Sequence, residues 1–547
     1  MALDQEKIQP NEAKPFTVPY SLAEINENLT ININTTSQSS KEKIINQAFK
    51  FHLQGAISDA AKYYKLFINK GFEDERVFSN YGKILRDVGN LKEAEIVTRK
   101  AIKINPNFAD AYSNLGNILR DHSNLKEAEN SYRKAIKLNP NFAEAYSNLG
   151  GILSNLDKLQ DAELSTRKAI EIKPDLAQAH LNLGAILTDL GKLQEAEISY
   201  KKAIEINPDY SKAYYFLSLL NYSEKNKTWQ NQLFSRNILN NKLKKDQIDI
   251  YFARANILHN EKKYRESSTY LELANKLKLE IINSKIDLII SKSKRLIDES
   301  EKRRIDQEEN IQYPKIIFIV GMSRSGSTLV ESILSMNEKV FDLGEVNLIE
   351  ESFIEQKNGT QGLTLAELYL KKVKNKKTRL NTITDKCLYN YQYAGIIANQ
   401  IPNAKIIHCF RNPLDNILSI YRANFANKKN NYYSSLADCA KVYLDQEAIM
   451  TEYKNRFRSK IYDLNYDSLV SQPNQEIKDL ISWLGWEWND SYLTPHLNPR
   501  SISTASNVQV RSAINSRSTC GWKNYKIMLK PAIEILIKTD RYKDITS

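Results

Sequence analysis

Residues 315–336 combine residue types and spacing that suit the binding of an anion. An apolar run at 316–320 predicts a buried strand, and apolar residues between 329 and 336 recur at helical spacing. The loop between them, 321–328, is bounded by glycine, rich in serine and threonine, and carries Arg324. The first N–H groups of a helix have no partner within the helix and point at whatever precedes it. The sequence therefore predicts an anion cradle with Arg324 as its cation.

The glycine spacing of this loop copies the P-loop of nucleotide triphosphatases, with one difference. A triphosphatase requires lysine before the final hydroxyl residue, but Ser327 stands there and the cation has moved to Arg324. A donor with fewer phosphates can be held by backbone amides, hydroxyl groups and one arginine fork. Two other interpretations stay open: a nucleotide kinase or triphosphatase, and an ordinary strand-turn-helix with a serine-rich turn.

A second anion site is predicted where another buried strand, Ala404–Phe410, ends. Arg411 follows the strand, Asn412 is a good helix cap, and Pro413 suits the first helical position. Ser419 then lies about two turns into the helix. Two anion sites at strand ends of one α/β domain favour a ligand with two charged ends. The alternative for Arg411 is a surface arginine that caps a sheet edge.

Together these two segments resemble the sulfotransferases that use 3′-phosphoadenosine 5′-phosphosulfate (PAPS). The first loop resembles their 5′-phosphosulfate loop, and the second resembles their 3′-phosphate motif, including the eight-residue gap from Arg411 to Ser419. The resemblance implies a three-layer, P-loop-like parallel-sheet domain over residues 314–547, with PAPS as co-substrate and no metal. The residues that it implies in donor binding are Arg324, Ser325, Gly326, Ser327, Thr328, Arg411, Ser419, Tyr466, Ser506 and Lys523.

The tyrosylprotein-type relatives also suggest which residues are catalytic. Glu345 lies 21 residues after Arg324, where such enzymes carry the glutamate that deprotonates the acceptor hydroxyl. Arg324 is expected to supply positive charge on the other side of the sulfuryl group, and Lys386 resembles the lysine that stabilises the leaving oxygen. Alternatives remain: Glu345 as a helix cap or surface ion pair, and Lys386 as a solvated side chain. His408, in a buried strand, is expected to be core.

The carboxyl-terminal resemblance is imperfect. Residues 504–527 are similar to the donor loop of the family, but many relatives have Gly-Arg-Trp where this chain has Cys520-Gly521-Trp522. Lys523 is a candidate for the missing charge. Tyr466 is expected either to line the adenosine or to serve packing.

Residues 41–280 contain an internal repeat of 34 residues, marked by glycines at 82, 116, 150 and 184 and prolines at 106, 140, 174 and 208. This pattern resembles the tetratricopeptide repeat (TPR) and predicts an α-solenoid of helical hairpins that binds or positions a protein or peptide. The repeats are placed near 41–74, 75–108, 109–142, 143–176 and 177–210, with irregular final repeats. An asparagine also recurs every 34 residues, at Asn80, Asn114, Asn148 and Asn182. These side chains could bind the backbone of an extended peptide, because an amide both donates and accepts hydrogen bonds. The alternative is that they make local contacts.

Composition and charge narrow the possible functions of the protein further. The 547 residues carry a net charge of +13, which favours anionic ligands, yet no nucleic-acid-binding motif accompanies the scattered lysines. Four separated cysteines predict neither a disulfide framework nor a zinc site and suit a reducing compartment. No transmembrane segment or signal peptide is expected, so the predicted location is cytoplasmic. Residues 1–40 are expected to form a flexible polar leader, and 281–313 a helical linker.

The sequence thus predicts a PAPS-dependent sulfotransferase whose TPR array recruits the acceptor or a partner protein. The rivals are a P-loop nucleotide kinase or NTPase and a non-catalytic TPR scaffold with a nucleotide-binding domain. The acceptor hydroxyl stays open between protein, glycan and small molecule, with a protein or peptide favoured by the array.

Overall fold

The computed structural model describes residues 36–220, 228–301, 314–359, 362–374, 382–425, 431–498, 500, 504 and 506–546. The leader predicted at 1–40 and the linker predicted at 281–313 fall partly outside these ranges. The chain divides into two compact units: residues 1–187 with 194–210, and residues 188–193 with 211–547. Among the helices of the described ranges, none combines the length and apolar composition needed to cross a membrane.

The first unit consists of consecutive helical hairpins. Its helices are α1 Thr36–Leu53, α2 Ile57–Asn69, α3 Glu75–Asp87, α4 Leu91–Ile104, α5 Ala109–Asp121, α6 Leu125–Leu138, α7 Ala143–Asn155, α8 Leu159–Ile172, α9 Ala177–Asp189 and α10 Leu193–Ile206, with the last two residues of α9 assigned to the second unit. The repeated prolines stand two residues after α4, α6, α8 and α10, where a residue without an N–H ends the helix. The predicted α-solenoid is confirmed.

Close approach of the paired helices explains the repeated glycines. A Cβ atom at Gly116 would lie 2.7 Å from the Tyr132 ring, and one at Gly184 would lie 2.5 Å from the Tyr200 ring. Both tyrosine rings are fully buried, so they have no room to move aside. Glycine is therefore required at this step of the repeat by packing.

The second unit begins with helices and ends with a parallel sheet. Its first helices are α11 Ser211–Leu219, α12 Thr228–Phe234, α13 Lys244–Asn260, α14 Tyr264–Ile281 and α15 Ile286–Glu301. Helices α13 and α14 pack against each other, and their apolar faces share a core with Leu414, Ile417 and Trp522 of the α/β domain. This helical hairpin is therefore part of the same hydrophobic core as the domain that follows it.

The described strands form one five-stranded sheet in which every neighbouring pair is parallel. They are β1 Lys315–Gly321, β2 Val340–Asp342, β3 Thr382–Asp385, β4 Ala404–Phe410 and β5 Ile461–Asn465, in the order β2-β3-β1-β4-β5. The chain leaves β1 toward one edge and later returns to β4 on its other side. Open parallel sheets bind ligands at such a reversal, outside the carboxyl ends of the strands.

Both faces of the sheet are covered. Alternate residues of β1 face opposite cores: Ile316 and Phe318 pack in one apolar cluster, and Ile317 and Ile319 pack in the other. The covering helices are α16 Ser327–Leu334, α17 Leu348–Lys357, α18 Leu365–Lys374, α19 Ala394–Gln400, α20 Pro413–Tyr421, α21 Leu436–Phe457, α22 Tyr466–Ser471, α23 Pro473–Leu484 and α24 Lys530–Leu536. The predicted three-layer parallel α/β domain is confirmed.

Two local boundaries differ from the sequence interpretation. The pattern KIYDLNY over residues 460–466 predicts a strand that ends at Tyr466, but Tyr466 is the first residue of α22, because the Asn465 side chain caps the helix by accepting the N–H of Asp467. The residues after Lys386, through Tyr393 and Ile397, predict a helix that begins at once. They instead form a 3₁₀ turn over Leu388–Tyr393 before α19 begins.

The repeat geometry generates a test with a matched pair of neighbouring glycines in α7. A Cβ at Gly150 would lie 2.0 Å from the Thr166 hydroxyl oxygen, whereas one at Gly151 meets nothing nearer than an atom of Asn182 at 3.9 Å. We expect Gly150→Ala to lower the free energy of unfolding by about 1–3 kcal/mol through overpacking. Gly151→Ala is expected to raise it by up to about 1 kcal/mol through helix propensity. Urea denaturation followed by circular dichroism compares them, and equal stability of the two variants would contradict the packing explanation.

Candidate active site

The loop after β1 contains two glycines at positions where a side chain would collide with neighbouring residues. Gly321 has φ +144°, and a Cβ there would lie 2.2 Å from the Cys409 carbonyl oxygen of the neighbouring strand. Gly326 has φ +93°, and a Cβ there would lie 2.3 Å from the Tyr466 ring. Arg324 is itself left-handed, with φ +68°. Such conformations favour glycine, so the loop holds Arg324 in a strained turn immediately before α16.

The second predicted anion site lies beside the first. The Asn412 side chain caps α20 by accepting the N–H groups of Leu414 and Asp415, which fixes Arg411 at the helix start. Arg411 Nη1 donates to the carbonyl oxygen of Arg324 at 3.4 Å, and Arg324 Nε donates to the Ser419 hydroxyl at 3.1 Å. The two arginine turns therefore form one continuous surface at the ends of adjacent strands.

Arg411 is oriented by contacts on three sides. Its guanidinium carbon lies 4.7 Å from the centre of the Tyr466 ring, and its Nη2 donates to the Ser518 carbonyl oxygen at 2.7 Å. The side chain is buried, and its Nε has no hydrogen-bond partner among the described residues. A buried donor without a partner is costly and marks a position where a ligand oxygen would be stabilising.

The carboxyl-terminal segment closes over Arg324. Arg324 Nη1 donates to the Ser506 hydroxyl at 2.5 Å, and Nη2 donates to Gln509 Oε1 at 2.7 Å. The Asp415 carboxylate accepts the backbone N–H groups of Cys520 at 2.7 Å and Trp522 at 2.9 Å. Asp415 therefore ties the helix after Arg411 to the segment that contacts Arg324.

Lys523 differs from the other predicted donor contacts. It lies exposed in the 3₁₀ turn Gly521–Tyr525 and does not line the cavity that the Arg324 loop borders. Its place in donor binding stays a prediction.

The predicted catalytic residues Glu345 and Lys386 form an ion pair. Lys386 Nζ lies 3.3 Å from Glu345 Oε1 and 3.0 Å from Oε2 of a second carboxylate, Glu331. The same ammonium lies 3.5 Å from the Thr328 hydroxyl, which belongs to the first anion loop. The lysine thus connects the predicted base to the loop expected to hold the donor.

A cavity of about 340 Å³ is bordered by the Arg324 loop and by Glu345. Its lining includes polar and charged residues together with the apolar Leu388 and Phe425. The predicted residues among the lining are Arg324, Gly326, Ser327, Thr328, Glu345 and Ser506, accompanied by Asp189, Ser323 and Thr504. Lys386, Arg411, Ser419 and Tyr466 do not line it. Ser325 belongs to the same loop, and its buried hydroxyl has no partner among the described residues.

The surroundings of Arg324 destabilise its charged form. Removal from water, followed by the nearby charges of Arg411 and Arg422, lowers the pKa of Arg324 to about 10. A guanidinium that is destabilised by burial and by like charges gains when an anion arrives. The electrostatics therefore favour an anionic ligand at the arginine turns.

Three contributors to the site were not predicted from the sequence: Glu331, Arg500 and Asp415. Glu331 had a signal, because it is the one charged residue in the otherwise apolar and hydroxyl-rich helix STLVESIL. Arg500 and Asp415 had none in one sequence, since their partners are far away along the chain. Gln509, which contacts Arg324, belongs to the segment that resembles the family's donor loop.

In the first unit, the repeated asparagines make contacts between and within repeats. The amide of Asn114 donates to the Ser79 hydroxyl at 2.8 Å, and that of Asn182 donates to Ser147 at 3.1 Å. Asn80 donates to the hydroxyl of Tyr64 at 3.4 Å. These bonds match the local-contact interpretation for the amide N–H groups. Peptide gripping by these three residues and by Asn148 stays a prediction.

Comparison with known proteins identifies both parts of the chain. Residues 355–490 match the profile of the Sulfotransferase family. Profiles of the tetratricopeptide repeat match residues 75–108, 97–130, 116–156, 143–176, 177–210 and 248–280. The chain therefore carries a sulfotransferase-family domain together with a TPR array, as predicted.

Individual relatives are similar over part of the chain. An uncharacterized protein of Aquifex aeolicus (strain VF5) is 31% identical over 309 residues, which cover 52% of this chain and 41% of that protein. The crystal structure of MamA is 24% identical, with a TM-score of 0.27, covering 32% of this chain and 96% of MamA. That of YrrB, described as a TPR protein with an unusual peptide-binding site, is 24% identical with a TM-score of 0.27, covering 37% and 100% of the respective chains.

The contacts of Asp415 generate a prediction. We expect Asp415→Ala to release residues 504–525 from α20, because two backbone N–H groups lose a charged acceptor worth about 1.5–3 kcal/mol each. Trypsin cleavage at Arg517 should accelerate at least about tenfold, as 1.4 kcal/mol per tenfold change implies. Asp479→Asn is the control, since that exposed side chain accepts the amide of Gln475 and no backbone N–H group among the described residues. Unchanged cleavage of the Asp415 variant would contradict its role as an anchor.

Proposed function

We propose that this chain is a PAPS-dependent sulfotransferase that transfers a sulfuryl group to an acceptor hydroxyl. The observation that carries the proposal is the direct contact between the two arginine turns. Arg411 Nη1 donates to the Arg324 carbonyl oxygen, and Arg324 Nε donates to Ser419. A small adenosine donor with a charged group at each end requires two anion sites this close together.

The residues present suit such a donor. The unpartnered Nε of Arg411 and the buried Ser325 hydroxyl are available for phosphate oxygens. The left-handed glycine at 326 gives the backbone room beside the Tyr466 ring. Ser327 takes the place of the lysine on which triphosphate hydrolysis depends, which supports a donor other than ATP.

The acid–base chemistry is assigned to Glu345. PAPS, when bound, supplies the activated sulfuryl group that the acceptor oxygen attacks as the bond from sulfur to the phosphate oxygen breaks. Glu345 borders the cavity with its side chain 53% exposed, so its carboxylate can reach an acceptor hydroxyl and take its proton. Arg324 and Lys386 supply positive charge next to the oxygen that leaves with adenosine 3′,5′-bisphosphate.

The TPR array is proposed to recruit the acceptor or a partner protein, as helical repeats present extended surfaces for proteins and peptides. The cytoplasm is the proposed location, because Cys387, Cys409, Cys439 and Cys520 are all free thiols and suit a reducing compartment.

Donor binding is tested by removing the second arginine. We expect Arg411→Ala to weaken binding of adenosine 3′,5′-bisphosphate by about 10–100-fold, because charged hydrogen bonds of about 1.5–3 kcal/mol are lost. Adenosine 5′-phosphate, which lacks the 3′-phosphate, should bind the variant and the wild type alike. Isothermal calorimetry measures both ligands. Arg458→Ala, at a side chain 70% exposed, is the matched control, and full retention of bisphosphate affinity by Arg411→Ala would overturn the assignment.

The reaction is tested with ³⁵S-labelled PAPS and three acceptors: a tyrosine-containing peptide, a simple sugar and a fatty alcohol. We expect transfer to at least one of them, together with release of adenosine 3′,5′-bisphosphate. Glu345→Gln should lower kcat by about 10²–10⁴-fold, the usual contribution of a general base, with bisphosphate affinity unchanged. Magnesium-dependent ATP turnover without use of PAPS would instead support a kinase or triphosphatase. Bisphosphate binding without transfer to any acceptor or to water would support a scaffold.

A further inference from the structure

Lys386 is a fully buried cation. It follows β3 immediately, and its side chain is 0% exposed. Its backbone N–H donates to the Gly344 carbonyl oxygen at 3.1 Å, which fixes the start of the side chain. An ammonium removed from water stays charged only when carboxylates or other acceptors compensate the lost hydration. The identity of those partners therefore decides whether Lys386 carries a proton.

The two carboxylates that contact Lys386 have different environments. The Glu345 side chain is 53% exposed and borders the cavity, whereas the Glu331 side chain is 3% exposed and belongs to α16. An exposed side chain can turn toward an acceptor, but a buried one is held by its surroundings. Glu331 is thus the permanent partner of the ammonium, and Glu345 is a partner that can leave.

Glu331 is supported from behind by a second pair of charges. Arg500 Nη2 lies 3.2 Å from Glu331 Oε2 and 2.7 Å from Asp342 Oδ1. Arg500 Nη1 also donates to the Ser335 hydroxyl, one turn after Glu331. The carboxylate of Glu331 is therefore shared between two cations, and its position between them is fixed by α16 and by the segment that carries Arg500.

We propose that Glu331 is a positioning residue that holds Lys386 in place while Glu345 serves the acceptor. This inference rests on the proposed sulfotransferase function. When Glu345 takes the acceptor proton it becomes neutral, and Lys386 loses one of its two counter-charges. Glu331 is buried and does not line the cavity, so its effect on the reaction passes through its contact with Lys386.

The charged and titratable groups around this ammonium come from several elements. They are Glu331 of α16, Glu345 after β2, Asp342 of β2, Arg500 behind Glu331, and the Cys409 thiol of β4. Removing the charge of Glu331 leaves the buried ammonium with Glu345 as its carboxylate partner, and that side chain can turn away. Glu331→Asp keeps a carboxylate beside the ammonium, whereas Glu331→Gln does not. The two variants therefore separate the effect of the charge from the effect of changing the side chain.

The experiment compares Glu331→Gln and Glu331→Asp in the full chain. Release of bisphosphate from PAPS measures kcat, and calorimetry measures the affinity for adenosine 3′,5′-bisphosphate. We expect Glu331→Gln to lower kcat by about 100-fold, the loss that a misplacement of about 1 Å can cause, while the affinity for adenosine 3′,5′-bisphosphate falls much less. A wild-type kcat in Glu331→Gln, or equal losses of kcat and of affinity, would overturn the proposal.

Two controls keep the outcome interpretable. Glu355→Gln removes a carboxylate from an ion pair with Lys372 in the same domain and should leave kcat and affinity unchanged. Glu331→Asp retains the carboxylate but withdraws it by one methylene. It should recover about tenfold or more of the kcat lost in Glu331→Gln, the rate equivalent of a charged hydrogen bond. Equal kcat in the two Glu331 variants would overturn the inference.

The measurements distinguish an error in the proposed role of Glu331 from an error in the proposed sulfotransferase function. If the wild type binds bisphosphate but never consumes PAPS, the proposed function falls. If the wild type consumes PAPS and neither Glu331 variant changes kcat, only the role of Glu331 falls.

Discussion

The parallel pairing of β1 with β4 is the constraint on which the rest of the site depends. Val320 lies opposite His408 and Gly321 lies opposite Cys409, so both strands end at the same level. A loop with Arg324 follows one strand, and a capped helix preceded by Arg411 follows the other. Because neighbouring strands lie about 4.8 Å apart, two loops that are 87 residues apart in sequence meet.

Placing two arginine side chains close together has an electrostatic cost that the surrounding residues must offset. Arg324 and Arg411 repel one another, and burial weakens the hydration of each. Arg324 donates to the neutral acceptors Ser419, Ser506 and Gln509, whereas the carboxylates of Glu331 and Glu345 contact Lys386. Neutral partners orient the arginines without cancelling their charge. The arginine turns are thus suited to an anion, while the lysine has partners of its own.

The TPR array is ordered by packing contacts between its helices. It relies on close helix packing, with glycine at each point where a tyrosine ring or a threonine hydroxyl of the partner helix arrives. The asparagine contacts join one repeat to the preceding one through serine side chains. Each repeat therefore contacts its neighbours in the same way, and this regularity is what makes such an array readable from its spacing.

The sequence alone determined the features that depend on local pattern or on repetition. The 34-residue step specified the helical hairpins, and the buried strands with their following loops specified the two anion turns and the parallel α/β class. The tertiary structure decided which distant residues complete the site. Glu331, Arg500 and Asp415 act through partners brought together by the sheet and by the carboxyl-terminal segment, and no local spacing encodes such pairings. The sequence also did not predict side-chain exposure, because Glu345 and Glu331 are the same residue type. Only the fold leaves one carboxylate at the cavity and buries the other against Lys386, because exposure is set by the elements packed around a side chain.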